Sequence, residues 1–179
     1  LRVYGGFGND TIAISGQSAV LHIDGGSGND VIDASGVSIS GPYGSSDRQL
    51  LGGDGDDTIT GSSLNDEISG GLGSDRLSGG LGSDSFRGTA AELNGDTIAD
   101  YQYGERILLT QSLNSAAQVR LSSVANSPDT QLEIDANNDG LFETVITLTG
   151  QSSGGVIVTS EGDYTNNLIR IGGIIFTAS

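Results

Sequence analysis

Cysteine, lysine, methionine and tryptophan are all absent from this 179-residue chain, and histidine occurs once. Without cysteine, neither disulfides nor thiolate metal sites are available. A single histidine leaves zinc without its preferred ligands. The absence of disulfides is consistent with one-step export from the cell. No apolar run approaches the ~20 residues of a membrane-spanning helix, so no membrane span is expected. Positive charge is scarce: seven arginines face 23 Asp and Glu, for a formal net charge of −16. Such a balance repels nucleic acid and anionic membrane surfaces and favours cations as partners. Catalytic signatures are missing too. There is no HExxH pair and no G-x-S-x-G elbow, and His22 lies in an apolar, strand-like stretch where a structural role is expected. Abundant acids alone do not define a glycosidase pair. The chain is therefore read as non-catalytic, with any active site upstream of Leu1. Its start, Leu1-Arg2-Val3-Tyr4, does not read as a signal peptide and runs straight into a repeat, as expected of a segment of a longer protein.

What is present is glycine, 30 residues of it, and it is periodic. Four nine-residue units lie end to end from Gly52 to Arg87: GGDGDDTIT, GSSLNDEIS, GGLGSDRLS and GGLGSDSFR. GGFGNDTIA (Gly5 to Ala13) and GGSGNDVID (Gly25 to Asp33) carry the same order. Acidic chains are often disordered, but here the acids recur at a fixed period beside Ile, Leu and Phe. In the unit from Gly70 to Ser78, Gly70, Gly71 and Gly73 permit the positive φ of a tight turn. Asp75 then supplies a carboxylate, and Leu77 begins a short strand pointing inward while Arg76 and Ser78 face outward. Two units make a coil of about eighteen residues, so each turn stacks on the turn two units later. Carbonyl oxygens and carboxylates gathered between turns suit calcium, which takes six to eight oxygen ligands.

On this basis several calcium ions are expected. Asp57 pairs with Asp75 and Asp66 with Asp84, each sharing an ion with turn carbonyls, and Asp10 and Asp30 act alike in the first coils. Gly52, Gly55, Gly70, Gly71, Gly73, Gly79, Gly80 and Gly82 shape the turns, and Asp54 is counted as a further ligand. The unit at Gly61 lacks two glycines, having Ser62 and Leu64 instead, and is the weakest of the series.

These units resemble the repeats of RTX (repeat-in-toxin) proteins, including the C-terminal modules of serralysin-type proteases. The resemblance implies a calcium-dependent parallel β-roll, secretion to the extracellular space or cell surface, and the type I secretion apparatus as a partner. It also implies catalytic or adhesive domains upstream. The segment Gly95-Asp96-Thr97-Ile98-Ala99-Asp100-Tyr101 resembles the one that follows RTX repeats, with Tyr101 in place of Phe. The residue-by-residue likeness ends at Asp96 and Asp100, which in that family cap the last coil with calcium, since the stretch Glu105 to Leu109 is read as lacking the usual Asp-x-Ile spacing. Asp135, Asn137 and Asp139, with Gly140 at the sixth position, resemble the start of an EF-hand-like loop, although the twelfth position is Ile146 rather than Glu.

The expected fold is all-β: a parallel β-roll over residues 1–94, with irregular coils before Gly52, followed by an antiparallel C-terminal β-unit for capping and secretion over 95–179. Strands are expected at Thr97–Tyr101, Arg106–Thr110, Gln118–Val124, Thr130–Asp135, Phe142–Leu148, Gly155–Thr159 and Leu168–Phe176, with a helical turn in 88–94. The function expected is a calcium-binding module that folds outside the cell and supports export and stability. Two alternatives are a calcium-rigidified segment of an adhesin or surface-layer protein and an accessory module of a secreted protease, lipase or alginate epimerase.

Overall fold

The computed structural model describes residues 1–17, 21–38, 48–102, 104–111, 118–149, 159–163 and 168–172. Its strands are β1 (Arg2–Phe7), β2 (Thr11–Gln17), β3 (Leu21–Ser27), β4 (Val31–Ser38), β5 (Arg48–Asp54), β6 (Thr58–Thr60), β7 (Glu67–Leu72), β8 (Arg76–Ser78), β9 (Ser85–Gly88), β10 (Thr97–Ile98), β11 (Arg106–Leu109), β12 (Gln118–Ser123), β13 (Thr130–Asp135), β14 (Thr144–Leu148), β15 (Thr159–Asp163) and β16 (Leu168–Gly172). They form two eight-stranded sheets, ordered β1-β3-β5-β7-β9-β11-β16-β15 and β12-β13-β14-β10-β8-β6-β4-β2. The chain alternates between the sheets, so odd and even strands of the winding stack separately. All pairs from β1 to β11 and from β2 to β10 are parallel. The fold is thus an all-β parallel roll.

Its core follows from the eighth position of the unit. Alternate residues of a strand face opposite sides, so Ile59 and Leu77 turn inward while Thr58 and Arg76 stay exposed. In one sheet Val3, Ile23, Leu50, Ile68, Phe86 and Ile107 stand in register; in the other Ile12, Ile32, Ile59, Leu77, Ile98 and Leu148 do. Both ladders belong to one apolar core. Each fully buried member contributes roughly 1.5–3 kcal/mol, and every coil adds one such residue per sheet.

Coil length tracks repeat regularity. Ile59 and Leu77 pair across the eighteen residues of two full units. Ile23 pairs with Leu50, three units on. The additional unit lies between Ile32 and Leu50, where Ser35 to Ser38 belong to β4 and residues 39–47, including Pro42, lie outside the described residues. The expected helical turn at 88–94 is a single turn closed by a capping box: Thr89 N–H donates to Glu92 Oε2 (2.7 Å) and Glu92 N–H to Thr89 Oγ1 (3.2 Å).

Two strands differ from expectation. β10 and β11, read with the antiparallel unit, pair in parallel with β8 and β9 and continue the roll. The reason is that Ile98 and Ile107 keep the inward register of the repeats although Gly104 is the one glycine left between them. Antiparallel pairing begins with β12, β13 and β14, and β14 joins the roll in parallel with β10. β15 and β16 form an antiparallel pair that adds to β11. The strand expected at Gly155–Thr159 lies, except for Thr159, outside the described residues, as does the end of Leu168–Phe176.

Candidate metal centre

The turns fall into two rows. The first row links the β1 sheet to the β2 sheet and carries Asp10, Asp30, Asp57, Asp75 and Asp96. In it the N–H of each aspartate donates to the Oδ1 of the aspartate one coil on: Asp10 to Asp30 (2.7 Å), Asp30 to Asp57 (2.7 Å), Asp57 to Asp75 (2.8 Å) and Asp75 to Asp96 (3.0 Å). The carboxylates of Asp30, Asp57, Asp75 and Asp96 are thereby held in one orientation. The other oxygen of each of the five aspartates is buried with no donor: Oδ2 of Asp10, Asp30, Asp57, Asp75 and Asp96 all lack a partner. Buried acceptors are costly when unpaired, so five in a row mark a place suited to a positive charge.

Glycine geometry shows what shape that place has. A methyl built on Gly5 would overlap Asp10 Oδ2 and the Gly25 carbonyl oxygen, and one on Gly25 would meet Asp30 Oδ2 and the Gly52 carbonyl. On Gly52 it would meet Asp57 Oδ2 and the Gly70 carbonyl. At each step a carboxylate oxygen and the carbonyl of the next coil converge on one point. Oxygen donors of this kind, without nitrogen or sulfur, fit a hard cation such as calcium. Gly71 and Gly73, at φ +109° and +145°, hold the turn in a conformation that side-chain-bearing residues rarely adopt.

The second row starts from the other sheet and is less uniform. Strand register stacks Arg48, Asp66, Asp84 and Glu105. Asp66 N–H donates to Asp84 Oδ1 (2.8 Å), and Asp84 Oδ2 has no donor. Asp66 differs: its Oδ1 accepts from Arg48 Nε (2.9 Å), and its Oδ2 accepts from both the N–H and the hydroxyl of Ser62 (2.7 Å each). Gly79, Gly80 and Gly82 shape the next turn, and Gly79 lies against Asp84 Oδ2.

Burial pushes Asp57, Asp75, Asp84, Asp96 and Glu105 upward. It raises Asp57 to about 6, and Asp84 and Asp96 to about 7, with charge repulsion from neighbouring acids adding to the effect. Asp75 is raised by the same burial. Glu105 reaches about 8, again through burial first and then the charges of Asp84 and Asp100. Groups penalised for ionising without a cation are those that gain most from one.

The remaining sequence-derived residues are placed as follows. Asp54 is exposed at the end of β5, and Gly55 is the turn glycine beside it at φ +124°. Asp100 accepts from the N–H groups of Gly79 and Gly80 (2.9 Å each) and from the Ser78 hydroxyl, capping the turn that carries Asp84. Asp135 is buried, and its carboxylate accepts from the N–H of Asn138 (2.6 Å), Asp139 (3.2 Å) and Gly140 (2.9 Å). Asn137 bonds to Asp139. Carboxylate oxygens of Asp135, Asp139 and Glu143 lie within 4.8 Å of one another. His22 is partly buried, with Nδ1 3.2 Å from Gln49 Oε1.

Two residues of the second row were not singled out from sequence. Glu105 was set aside for lacking the Asp-x-Ile spacing, yet Glu105-Arg106-Ile107 keeps the acid-x-apolar order with Glu in place of Asp. Arg48 sits in a degenerate stretch whose register only the strand pairing reveals.

Residues 2–13, 22–36 and 51–86 match the family model of the RTX calcium-binding nonapeptide repeat (4 copies). No curated protein matches the sequence. Among solved structures, the chain is similar to the AlgE6R3 subunit from the Azotobacter vinelandii mannuronan C5-epimerase, with 19% sequence identity and a TM-score of 0.43 over 98% of this chain and 88% of that one.

Proposed function

The repeat winding is an RTX calcium-binding domain, and from that premise we propose that this chain is a module that folds on calcium outside the cell and stabilises a secreted protein. The observation that carries the reading is the row of buried, donorless Oδ2 atoms on Asp10, Asp30, Asp57, Asp75 and Asp96. These carboxylates would hold calcium together with turn carbonyls such as those of Gly25, Gly52 and Gly70. Asp84 would do so with Glu105 at the end of the second row. When bound, calcium supplies the positive charge and multiple oxygen coordination that each step otherwise lacks.

The chain's own residues do the rest. Without a cation, stacked acids repel each other in a chain of net charge −16, and adjacent coils resist closing. With the charge compensated, binding free energy becomes folding free energy. Extracellular modules work at roughly 10⁻⁴–10⁻³ M calcium, so the chain stays unfolded at low intracellular calcium, passes the type I secretion apparatus in that state and folds on release. The buried acids serve the stacking of turns, so catalysis or adhesion belongs to domains joined to the module.

Far-ultraviolet circular dichroism of the chain in EGTA and in millimolar calcium tests the reading. A β-rich spectrum is expected only with calcium. Identical spectra in the two conditions would end it.

A further inference from the structure

We propose that Arg48 is the resident cation of the second row: its guanidinium takes the place of a calcium ion, and the step between Arg48 and Asp66 binds no metal. The inference rests on the calcium reading of the first row and concerns where that pattern stops.

Register puts Arg48 between Leu21 of the preceding coil and the acids Asp66, Asp84 and Glu105 of the three coils that follow, since Leu21 pairs with Arg48, Gln49 with Glu67, Glu67 with Ser85 and Ser85 with Arg106. The Arg48 side chain is 2% exposed. It donates from Nε to Asp66 Oδ1 (2.9 Å) and from Nη2 to the carbonyl oxygen of Asn65 (2.9 Å). One carboxylate and one turn carbonyl are the kinds of donor that converge at each step of the first row. Arginine is charged at every accessible pH and offers several fixed donors, so it satisfies both at once.

The rest of the turn is changed in the same sense. Ser62 replaces the second glycine of the unit and covers Asp66 Oδ2 with its N–H and hydroxyl. Asp66 is accordingly missing from the buried carboxylates left without a donor, a set that holds Asp10, Asp30, Asp57, Asp75, Asp84 and Asp96. The departures at residues 48 and 62 fit together: one supplies the charge, the other closes the remaining oxygen. Asp66, expected from the spacing as a calcium ligand, has both its oxygens hydrogen-bonded by Arg48 and Ser62. The pair also ties the irregular coil ending at Arg48 to the regular block without drawing on calcium.

The test is calcium stoichiometry by titration calorimetry and metal analysis on the wild-type chain and the variants Asp57→Asn and Asp66→Asn. The expected result is one ion fewer for Asp57→Asn and no change for Asp66→Asn. An ion lost with Asp66→Asn would overturn the proposal. If Asp66→Asn does not fold with calcium, the arginine Nε–H signals of the calcium-loaded wild-type chain decide, with Arg48→Gln assigning the resonance. A solvent-protected Arg48 Nε–H is expected, and exchange as fast as that of exposed arginines would overturn the proposal. A wild-type chain that binds no calcium counts against the calcium reading itself, whereas an ion lost with Asp66→Asn counts against Arg48 alone.

Discussion

The two rows of turns are built from one nine-residue plan and end in different chemistry. In the first row, five aspartates keep a buried oxygen without a donor, and those of Asp10, Asp30 and Asp57 converge with the next coil's carbonyl. In the second, the step at Asp66 is closed by hydrogen bonds from Arg48 and Ser62, and only Asp84 keeps such an oxygen. The difference teaches that the backbone of the coil tolerates either solution. What a coil requires is that its buried carboxylate be compensated, and a side chain of the same molecule can do this as well as a solvent ion. Glycine content follows suit: the unit at Gly61, with Ser62 and Leu64, stacks in the same register as its glycine-complete neighbours.

Substitutions that crowd a single step separate the rows most strongly. Gly52→Ala places a methyl where Asp57 Oδ2 and the Gly70 carbonyl converge. It should cost roughly 1–3 kcal/mol, the usual penalty for overpacking, and raise the calcium concentration needed for folding. Gly61→Ala meets the Gly79 carbonyl but lies 3.1 Å from Asp66 Oδ2, so it should destabilise, and move the folding midpoint only as far as that loss dictates, with the number of bound calcium ions unchanged. Denaturant unfolding in saturating calcium, with calorimetric calcium stoichiometry of each variant, reads both quantities. The same loss of bound ions in both variants would erase the distinction between rows.

Acidity acts with opposite sign depending on calcium. Asp57, Asp84, Asp96 and Glu105 have folded-state values of about 6, 7, 7 and 8, against ~4 in an unfolded chain. The folded state without calcium therefore binds more protons than the unfolded one. Its stability should be greatest near pH 4 and decline as pH rises through 6 to 8. With calcium present the trend reverses, because protons compete for the same oxygens, and the folding midpoint should move to lower calcium between pH 6 and pH 8. Circular dichroism in EGTA between pH 4 and pH 8, and calcium titrations at pH 6 and pH 8, check the two slopes.

The smallest effect expected is that of Ser62→Ala. It removes one hydrogen bond to Asp66 Oδ2 and keeps the backbone donor and Arg48. A loss of about 1 kcal/mol, with an unaltered number of bound calcium ions, is expected from denaturant titration and calorimetry. A changed stoichiometry would mean that Ser62 guards a metal step.

Much of this was legible in the sequence because the repeat is a spacing, and spacing is what stacking reads. The eighth-position residues Ile12, Ile32, Ile59 and Leu77 and the acids Asp10, Asp30, Asp57 and Asp75 follow from it directly, while Asp96 comes from the likeness of the segment that follows the repeats. Arg48 does not, because residues 34–51 lack the glycines that would reveal their phase, and its position is defined by hydrogen bonding to a coil eighteen residues away. Glu105 was hidden by its longer side chain. Motif spacing calls for Asp there, but the extra methylene is absorbed where Gln102 N–H reaches its Oε2 (2.6 Å). The direction of β10 was equally out of reach, since an alternating pattern is the same in parallel and antiparallel strands.

The aspartate ladder has an arrow. Each N–H donates toward the following coil, so the two faces of any coil are chemically unlike: one presents amide hydrogens, the other carboxylate oxygens. Within the ladder, cutting the stack after Asp75 would strand the Asp75 amide, while cutting it before Asp30 would leave Asp30 Oδ1 without its donor, an oxygen that water or an ion can satisfy. The winding is in this sense a polar filament one molecule long, and trimming it from its two ends is not the same operation.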